Sequence, residues 1–178
     1  MLEQTLFAGF GGQGMLLVGE FLAQAGMSEG KFVSWLPSYG PEMRGGTANC
    51  AVVISDKPIA SPIITKASCV IAMNRPSLEK FEELVRPGGT LIVNSSLIDI
   101  KSSRDDIDVI YVPANEIAET LGSPQVANMV ILGAFLAKKP CVEVDSVLAA
   151  LLAKLGKRKA HLIDVNKQAI AAGGECVK

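Results

Sequence analysis

Gly9 to Gly14 reads GFGGQG, four glycines in six residues, directly after the largely apolar run Thr5-Leu6-Phe7-Ala8. A chain turns this tightly from an extended run into a helix only where Cβ atoms are missing. The opening of the fold is therefore a strand, a glycine loop and a helix. Gly9, Gly11 and Gly14 fit G-x-G-x-x-G, in which glycines permit the turn, let backbone N–H groups approach a phosphate and let the helix pack on the sheet. The helix N-terminus adds roughly half a positive charge. The loop either holds an anionic ligand or a partner chain, or it simply packs a helix on a sheet.

A dinucleotide site needs one residue more, a carboxylate about 20 positions on, at the end of the second strand. That region reads VSWLPSYG, with Ser34 and Ser38 and no acid before Glu42. There is no G-x-x-x-x-G-K-[ST] either, which removes the triphosphatase loop. Both omissions weaken the NAD and triphosphatase readings and leave the loop to another ligand, a partner chain or packing alone.

Periodicity and turn residues outline the rest. A short buried strand spans 6–9, and a helix runs from Gln13 to about Glu29 with Leu16, Leu17, Phe21 and Ala25 on roughly one face. A second strand spans 32–36 and is closed by Pro37. The loop 37–46, PSYGPEMRGG, is too rich in Pro and Gly for a helix. Strands are expected at 49–55, 69–73, 90–93 and 109–112. Ser61-Pro62 allows at most a short edge strand between them. Pro76 opens a helix with Asn74 or Arg75 at its cap, and Leu78, Phe81, Leu84 and Val85 form its apolar face. Pro87-Gly88-Gly89 turns the chain into the strand at 90. Helices are expected at 115–121, 126–138 and 159–172, with Asp145 capping another that ends at Leu155. Strands alternating with helices, then terminal helices, give an α/β layered fold. Residues 1–178 read as one domain, with no repeat or linker.

The totals exclude several functions. Net charge is −1, which removes a bulk electrostatic case for nucleic acid or an anionic membrane. Apolar stretches are too short to span a bilayer, and the first residues lack the basic region of a signal peptide. Cytoplasm is the expected compartment. The four cysteines, Cys50, Cys69, Cys141 and Cys176, form no C-x-x-C, and His161 is the one histidine. This chain alone holds neither an iron–sulfur cluster nor a multi-histidine metal site. No nucleophile–base pair is visible, so the residues describe a binding domain.

Where would it bind? The first two strands should end on the same side, bringing the glycine loop beside SYGPEMRGG. Arg44 can hold a phosphate or carboxylate with two parallel hydrogen bonds, or simply pair with Glu42. Gly45-Gly46 admits close backbone approach, and Tyr39 can stack or donate. Asn74-Arg75, Asn94-Ser95-Ser96 and Asn128 are further polar groups at strand ends or a helix start, for which turn and cap chemistry is an equal explanation.

Together GFGGQG, WLPSYGPEMRGGTANCAVVIS and IASPIITKASCVIAMNRPSLEKF resemble the gamma subunit, or gamma domain, of 2-oxoacid:ferredoxin oxidoreductases. The resemblance covers nearly the whole chain and is most specific from Gly9 to Ser55. The wording WLPSYGPEMRGGTANC looks most like the 2-oxoglutarate type, with the 2-oxoisovalerate type a close rival and the pyruvate type more distant. It implies a three-layer α/β/α domain, its sheet mostly parallel or mixed, with a Rossmann-like glycine-rich first turn. It also implies membership of a complex that decarboxylates a 2-oxoacid, transfers the acyl group to coenzyme A and reduces ferredoxin. Thiamine diphosphate would sit in alpha and beta subunits and iron–sulfur clusters in partner subunits that include a ferredoxin-like delta chain. This chain would help bind coenzyme A through Gly9, Gly11, Gly12, Gln13 and Gly14, and through Ser38, Tyr39, Arg44, Gly45 and Gly46.

The resemblance implies no catalytic residue here and an inactive isolated chain, for which a homodimer is compatible with the apolar composition. Three rivals stay open: a subunit whose loops only dock the catalytic chains, a free-standing NAD(P) enzyme, and a regulatory nucleotide-binding module.

Overall fold

The computed structural model describes residues 1–40, 46–156 and 159–177. A six-stranded mixed sheet carries the fold, in the order β2-β3-β1-β4-β5-β6. The strands are β1 (Leu2–Phe10), β2 (Phe32–Tyr39), β3 (Thr47–Ser55), β4 (Ala67–Ala72), β5 (Val85–Asn94) and β6 (Asp108–Val112). β1, β4, β5 and β6 run parallel, whereas β3 is antiparallel to both β1 and β2. β1 and β2 therefore point the same way, and their C-terminal ends meet at one edge, as the sequence led us to expect.

Two cores flank the sheet. On one face α1 (Met15–Ser28), α3 (Ala114–Thr120), α4 (Ala127–Lys138), α5 (Val144–Leu155) and α6 (Leu162–Glu175) bury Phe7, Cys50, Val52, Ile71 and Ile92. Phe7 stands at the centre, edge-on to Phe135 with ring centroids 5.7 Å apart. On the other face α2 (Arg75–Phe81) and the turn Glu82–Leu84 cover Leu6, Val70, Leu91 and Val93. The layers are thus α/β/α but unequal. Among the described residues no helix packs on that second face at β2, where Phe32 and Leu36 lie exposed.

Several elements differ from the sequence reading, each for a tertiary reason. Pro37 does not close β2, which continues to Tyr39 in register with Ala48. β2 is an edge strand, where a missing N–H can face solvent without loss. Pro87-Gly88-Gly89 lies within β5 and does not precede it. Residues 61–62 form no strand. Asp145 does not cap α5: the N-cap position is Glu143, whose N–H donates to Glu29 Oε1 at 2.7 Å. Lys31 completes this clamp, donating to Glu29 and to the Cys141 carbonyl. α6 begins at Leu162, three residues later than its polar first turn suggested.

All four cysteines are reduced, and three are buried. Burial pushes the Cys50 and Cys141 thiols up to about 12 and Cys69 well above its ordinary value. Cys176 is also raised, by burial first, but remains partly open. Thiolate is the reactive species. Iodoacetamide at pH 8 should therefore label Cys176 first in the native protein and the other three only after unfolding. Peptide mass spectrometry reads the order.

Candidate functional site

The glycine loop leaves β1 at Phe10 and enters α1 at Met15. Gly12 and Gly14 have φ of 99° and 76°, left-handed values that disfavour a side chain. The Gly11 N–H donates to the Gly46 carbonyl at 2.8 Å, which ties the loop to the start of β3. The Gln13 N–H closes the turn on the Phe10 carbonyl at 3.1 Å.

Two amides of the loop are therefore already used. Those of Gly12, Gly14, Met15, Leu16 and Leu17 have no partner among the described residues, and the first helical bond runs from the Val18 N–H to the Gly14 carbonyl at 3.0 Å. Gly14 occupies the N-cap position of α1 and offers no side chain to cap it, and the first turn carries no acid. Among the described residues nothing caps the positive end of the helix dipole.

The Gln13 side chain turns inward. Its Oε1 accepts from the Phe10 N–H at 2.7 Å and from Asn74 Nδ2 at 2.9 Å, while Nε2 donates to the Met73 carbonyl at 3.3 Å. Asn74 also caps α2 by accepting from the Ser77 N–H at 3.0 Å. Asn94 reaches the same Met73 carbonyl at 3.5 Å, pairs with Asn115 at 2.8 Å, and accepts from the Ala114 N–H at the start of α3. One bonded chain of carboxamides crosses the C-terminal ends of β1, β4 and β5. The sequence placed Asn74 and Asn94 at strand ends; that Asn74 bonds Gln13 and Asn94 shares the Met73 carbonyl with it is a product of the fold.

Beside the loop lies a cavity of about 370 Å³, lined by Phe10, Gly11, Gly12, Gly14, Leu16, Leu17, Tyr39 and Ala48, with Met15 at its base. The lining is mostly apolar, and Tyr39 is its one titratable side chain among the described residues. Leu17 also borders a second cavity of about 390 Å³ between α1, α4, α5 and α6, where Asn128 stands. A Cβ on Gly14 would fall onto the Asn128 amide, so these two residues meet across the wall between the cavities.

Of the residues singled out in the sequence, Gly11, Gly12, Gly14 and Tyr39 line the first cavity, and Gly46 anchors its rim. Gly9 packs beneath, against Gln13, Met15 and Met73. Ser38 pairs with Asn49 and, by strand alternation, faces away from Tyr39. Arg44 and Gly45 lie outside the described residues. Arg75 is engaged with Glu79 at 2.8 Å, away from the cavity. His161 is exposed ahead of α6. Leu16 and Leu17 join the site without having been singled out as ligand contacts. Both also pack, half-buried, against the core beneath α1, so their helical spacing carried no sign of a second role.

What such a site can do is bind: it has open amides and a helix dipole at one end and an apolar wall at the other. Among the described residues no group of acids, cysteines or histidine could hold a metal ion. No described helix is long and apolar enough to cross a membrane.

Fold and loop together define an α/β domain with a cavity at its strand ends. Residues 4–176 match the pyruvate ferredoxin/flavodoxin oxidoreductase family, and the chain belongs to that family. It is 39% identical to the ketoisovalerate oxidoreductase subunit VorA of Methanothermobacter marburgensis over 94% of this chain. The match covers only 35% of that relative, so the chain spans about a third of its length. A 2-oxoglutarate synthase subunit, KorC of Methanocaldococcus jannaschii, is 33% identical over 88% of this chain and 86% of its own.

Among solved structures, the gamma subunit of a keto/oxoacid ferredoxin oxidoreductase from Geobacter sulfurreducens superposes with a TM-score of 0.82 at 28% identity, covering 98% of both chains. A 2-oxoglutarate:ferredoxin oxidoreductase from Magnetococcus marinus, described with 2-oxoglutarate, coenzyme A and succinyl-CoA bound, reaches a TM-score of 0.90 at 22% identity. It shares the fold over 99% of this chain and 31% of its own. The mixed α/β fold is thus that of the gamma subunits. The glycine loop does not open the parallel β-α-β unit of a dinucleotide fold, because β2 pairs with β3 and not with β1.

Proposed function

We propose that this chain is the gamma component of a 2-oxoacid:ferredoxin oxidoreductase and that its glycine loop and adjoining cavity hold coenzyme A. The observation that carries the reading is the pairing of unbonded loop amides with an apolar cavity in one continuous site. Coenzyme A has that same polarity, with phosphates at one end and a long, weakly polar thiol arm at the other. The amides of Gly12, Gly14 and the first turn of α1 would receive a phosphate, with Arg44 assisting from the hairpin loop. Leu16, Leu17 and Tyr39 would flank the arm. Gly9, Gly11, Gly45 and Gly46 would shape the two loops, and Ser38 would act only at the hairpin's outer face.

The complex would decarboxylate a 2-oxoacid, form its acyl-CoA and pass two electrons to ferredoxin. Thiamine diphosphate and iron–sulfur clusters would belong to alpha, beta and delta subunits, since this chain offers no thiolate cluster. Its own contribution would be positioning, which converts an encounter into a near-unimolecular step. Relatives named for ketoisovalerate, 2-oxoglutarate and pyruvate all align with this chain, and in this reading the choice of oxoacid would rest with the partner chains.

A second reading, a docking subunit, draws on β2. Its sequence FVSWLPSY has no charged residue and exposes Phe32, Trp35, Leu36 and Tyr39 at a sheet edge, where a solitary monomer usually carries charges. The two readings combine if a partner closes the cavity at Tyr39. The test is Arg44→Ala in the assembled complex, purified anaerobically through the tagged chain. The KM for coenzyme A should rise several-fold while that for the 2-oxoacid holds. Equal changes in both would leave docking as the chain's role.

A further inference from the structure

In an open α/β sheet, ligands settle beyond the strand ends where successive helices pass to opposite faces. Here that point falls between β1 and β4. α1 follows β1 on one face, and α2 follows β4 on the other. The crevice between these strand ends is closed. The Met73 N–H donates to the Ala8 carbonyl at 2.9 Å, and the Gln13 carboxamide sits on top, bonded to Phe10, Met73 and Asn74. A Cβ on Gly9 would come within 2.8 Å of Gln13 Oε1, so the plug fits a space left for it.

Resting on the coenzyme reading above, we infer that Gln13 is a positioning residue. It fills the β1–β4 crevice and holds the glycine loop so that its unbonded amides face Tyr39 and β2, where the cavity lies. The Gln13 carboxamide occupies the crevice side, and the loop has no other side-chain anchor among the described residues. Asn74 is the second half of the device. Its amide donates to Gln13 while its carbonyl caps α2, so the loop conformation is coupled to the β4–α2 junction.

The role differs from that of a ligand contact. The Gln13 side-chain bonds to Phe10, Met73 and Asn74 all end on this chain, and its effect on a bound coenzyme passes through the loop backbone. It also explains why an acid at the end of β2, the missing element of a dinucleotide site, has no place in this design: the ligand would lie on the hairpin side of the loop and not across the crevice.

The experiment uses the assembled complex carrying tagged variants of this chain. Gln13→Met keeps the volume and removes the bonds to the Phe10 N–H and Asn74. It should raise the KM for coenzyme A about tenfold, the scale of one or two lost hydrogen bonds, with the 2-oxoacid KM and subunit composition unchanged. An unaltered coenzyme KM, or equal rises for both substrates, overturns the inference. Should Gln13→Met fail to assemble, Gln13→Glu decides. Its carboxylate can still accept from Phe10 and Asn74, but its second oxygen faces the Met73 carbonyl and becomes a donor only when protonated. Relative to wild type, its coenzyme KM should improve from pH 8 to pH 6, and a constant ratio overturns the inference. Failure of the underlying reading is separate, because wild-type complex turning over without coenzyme A would reveal it before any variant is made.

Discussion

Gly173→Ala is expected to destabilise the chain by about 3 kcal/mol, seen as a loss of roughly 10 °C in Tm. α4 and α6 cross backbone to backbone. A Cβ at Gly173 would land on the Val130 carbonyl, and one at Gly133 on the Ile170 carbonyl. The residue numbers run in opposite senses, so the helices are antiparallel, and each glycine admits the other helix's main chain. Neither obstacle is a side chain that could swing away. The helices must separate, loosening Ala169 and Ile170 from the core beneath them. Alanine's higher helix propensity returns only about 1 kcal/mol. Gly174→Ala is the built-in control. Its Cβ would meet Ala137 Cβ at 3.7 Å, an ordinary contact, so the same propensity gain should leave stability unchanged or slightly higher. Thermal unfolding of both variants separates the two cases. Equal Tm values would mean that the α4–α6 contact is looser than described.

Gly14→Ala is the second substitution with a large expected effect, this time on function. At φ 76° a Cβ costs on the order of 1–2 kcal/mol, and here it also displaces the Asn128 amide. The strain is released only by moving the loop, which re-aims its free N–H groups. The KM for coenzyme A in the complex should rise about tenfold or more, with a smaller change for the 2-oxoacid. Gly12→Ala shares the positive φ but meets open space, so it should cost stability with less loss of coenzyme binding. Adding Asn128→Ala to Gly14→Ala should recover part of the loss, since it removes the obstacle. If Gly14→Ala lowered Tm while leaving the coenzyme KM untouched, the loop would serve packing alone.

Much of this was legible in the chain. GFGGQG announced a turn between a strand and a helix, and the structure has β1 ending at Phe10 and α1 beginning at Met15. Pro76 and Asn74 announced the start of α2, and the structure has Asn74 at its N-cap. The apolar runs at β4 and β5 are strands buried on both sides, and the absence of cysteine clusters already argued against a cluster held here.

Other features came from contacts between residues distant in sequence. Local composition could not show that Pro37 continues a strand, because this depends on β2 lying at the edge of the sheet. It could not show that β3 runs antiparallel beside β1, since strand partners are chosen by burial across the whole sheet. Gln13 is the clearest instance. As a sequence letter it was one more polar group in a phosphate-type loop. Only when β4 packs beside β1 do Met73 and Asn74, some sixty residues on, arrive at its carboxamide. The residues alone pointed to a glycine turn at the opening of the fold and offered no nucleophile–base pair. Which side of that turn is free was settled by packing, because only the folded chain reveals which hydrogen-bonding groups the protein has already spent on itself.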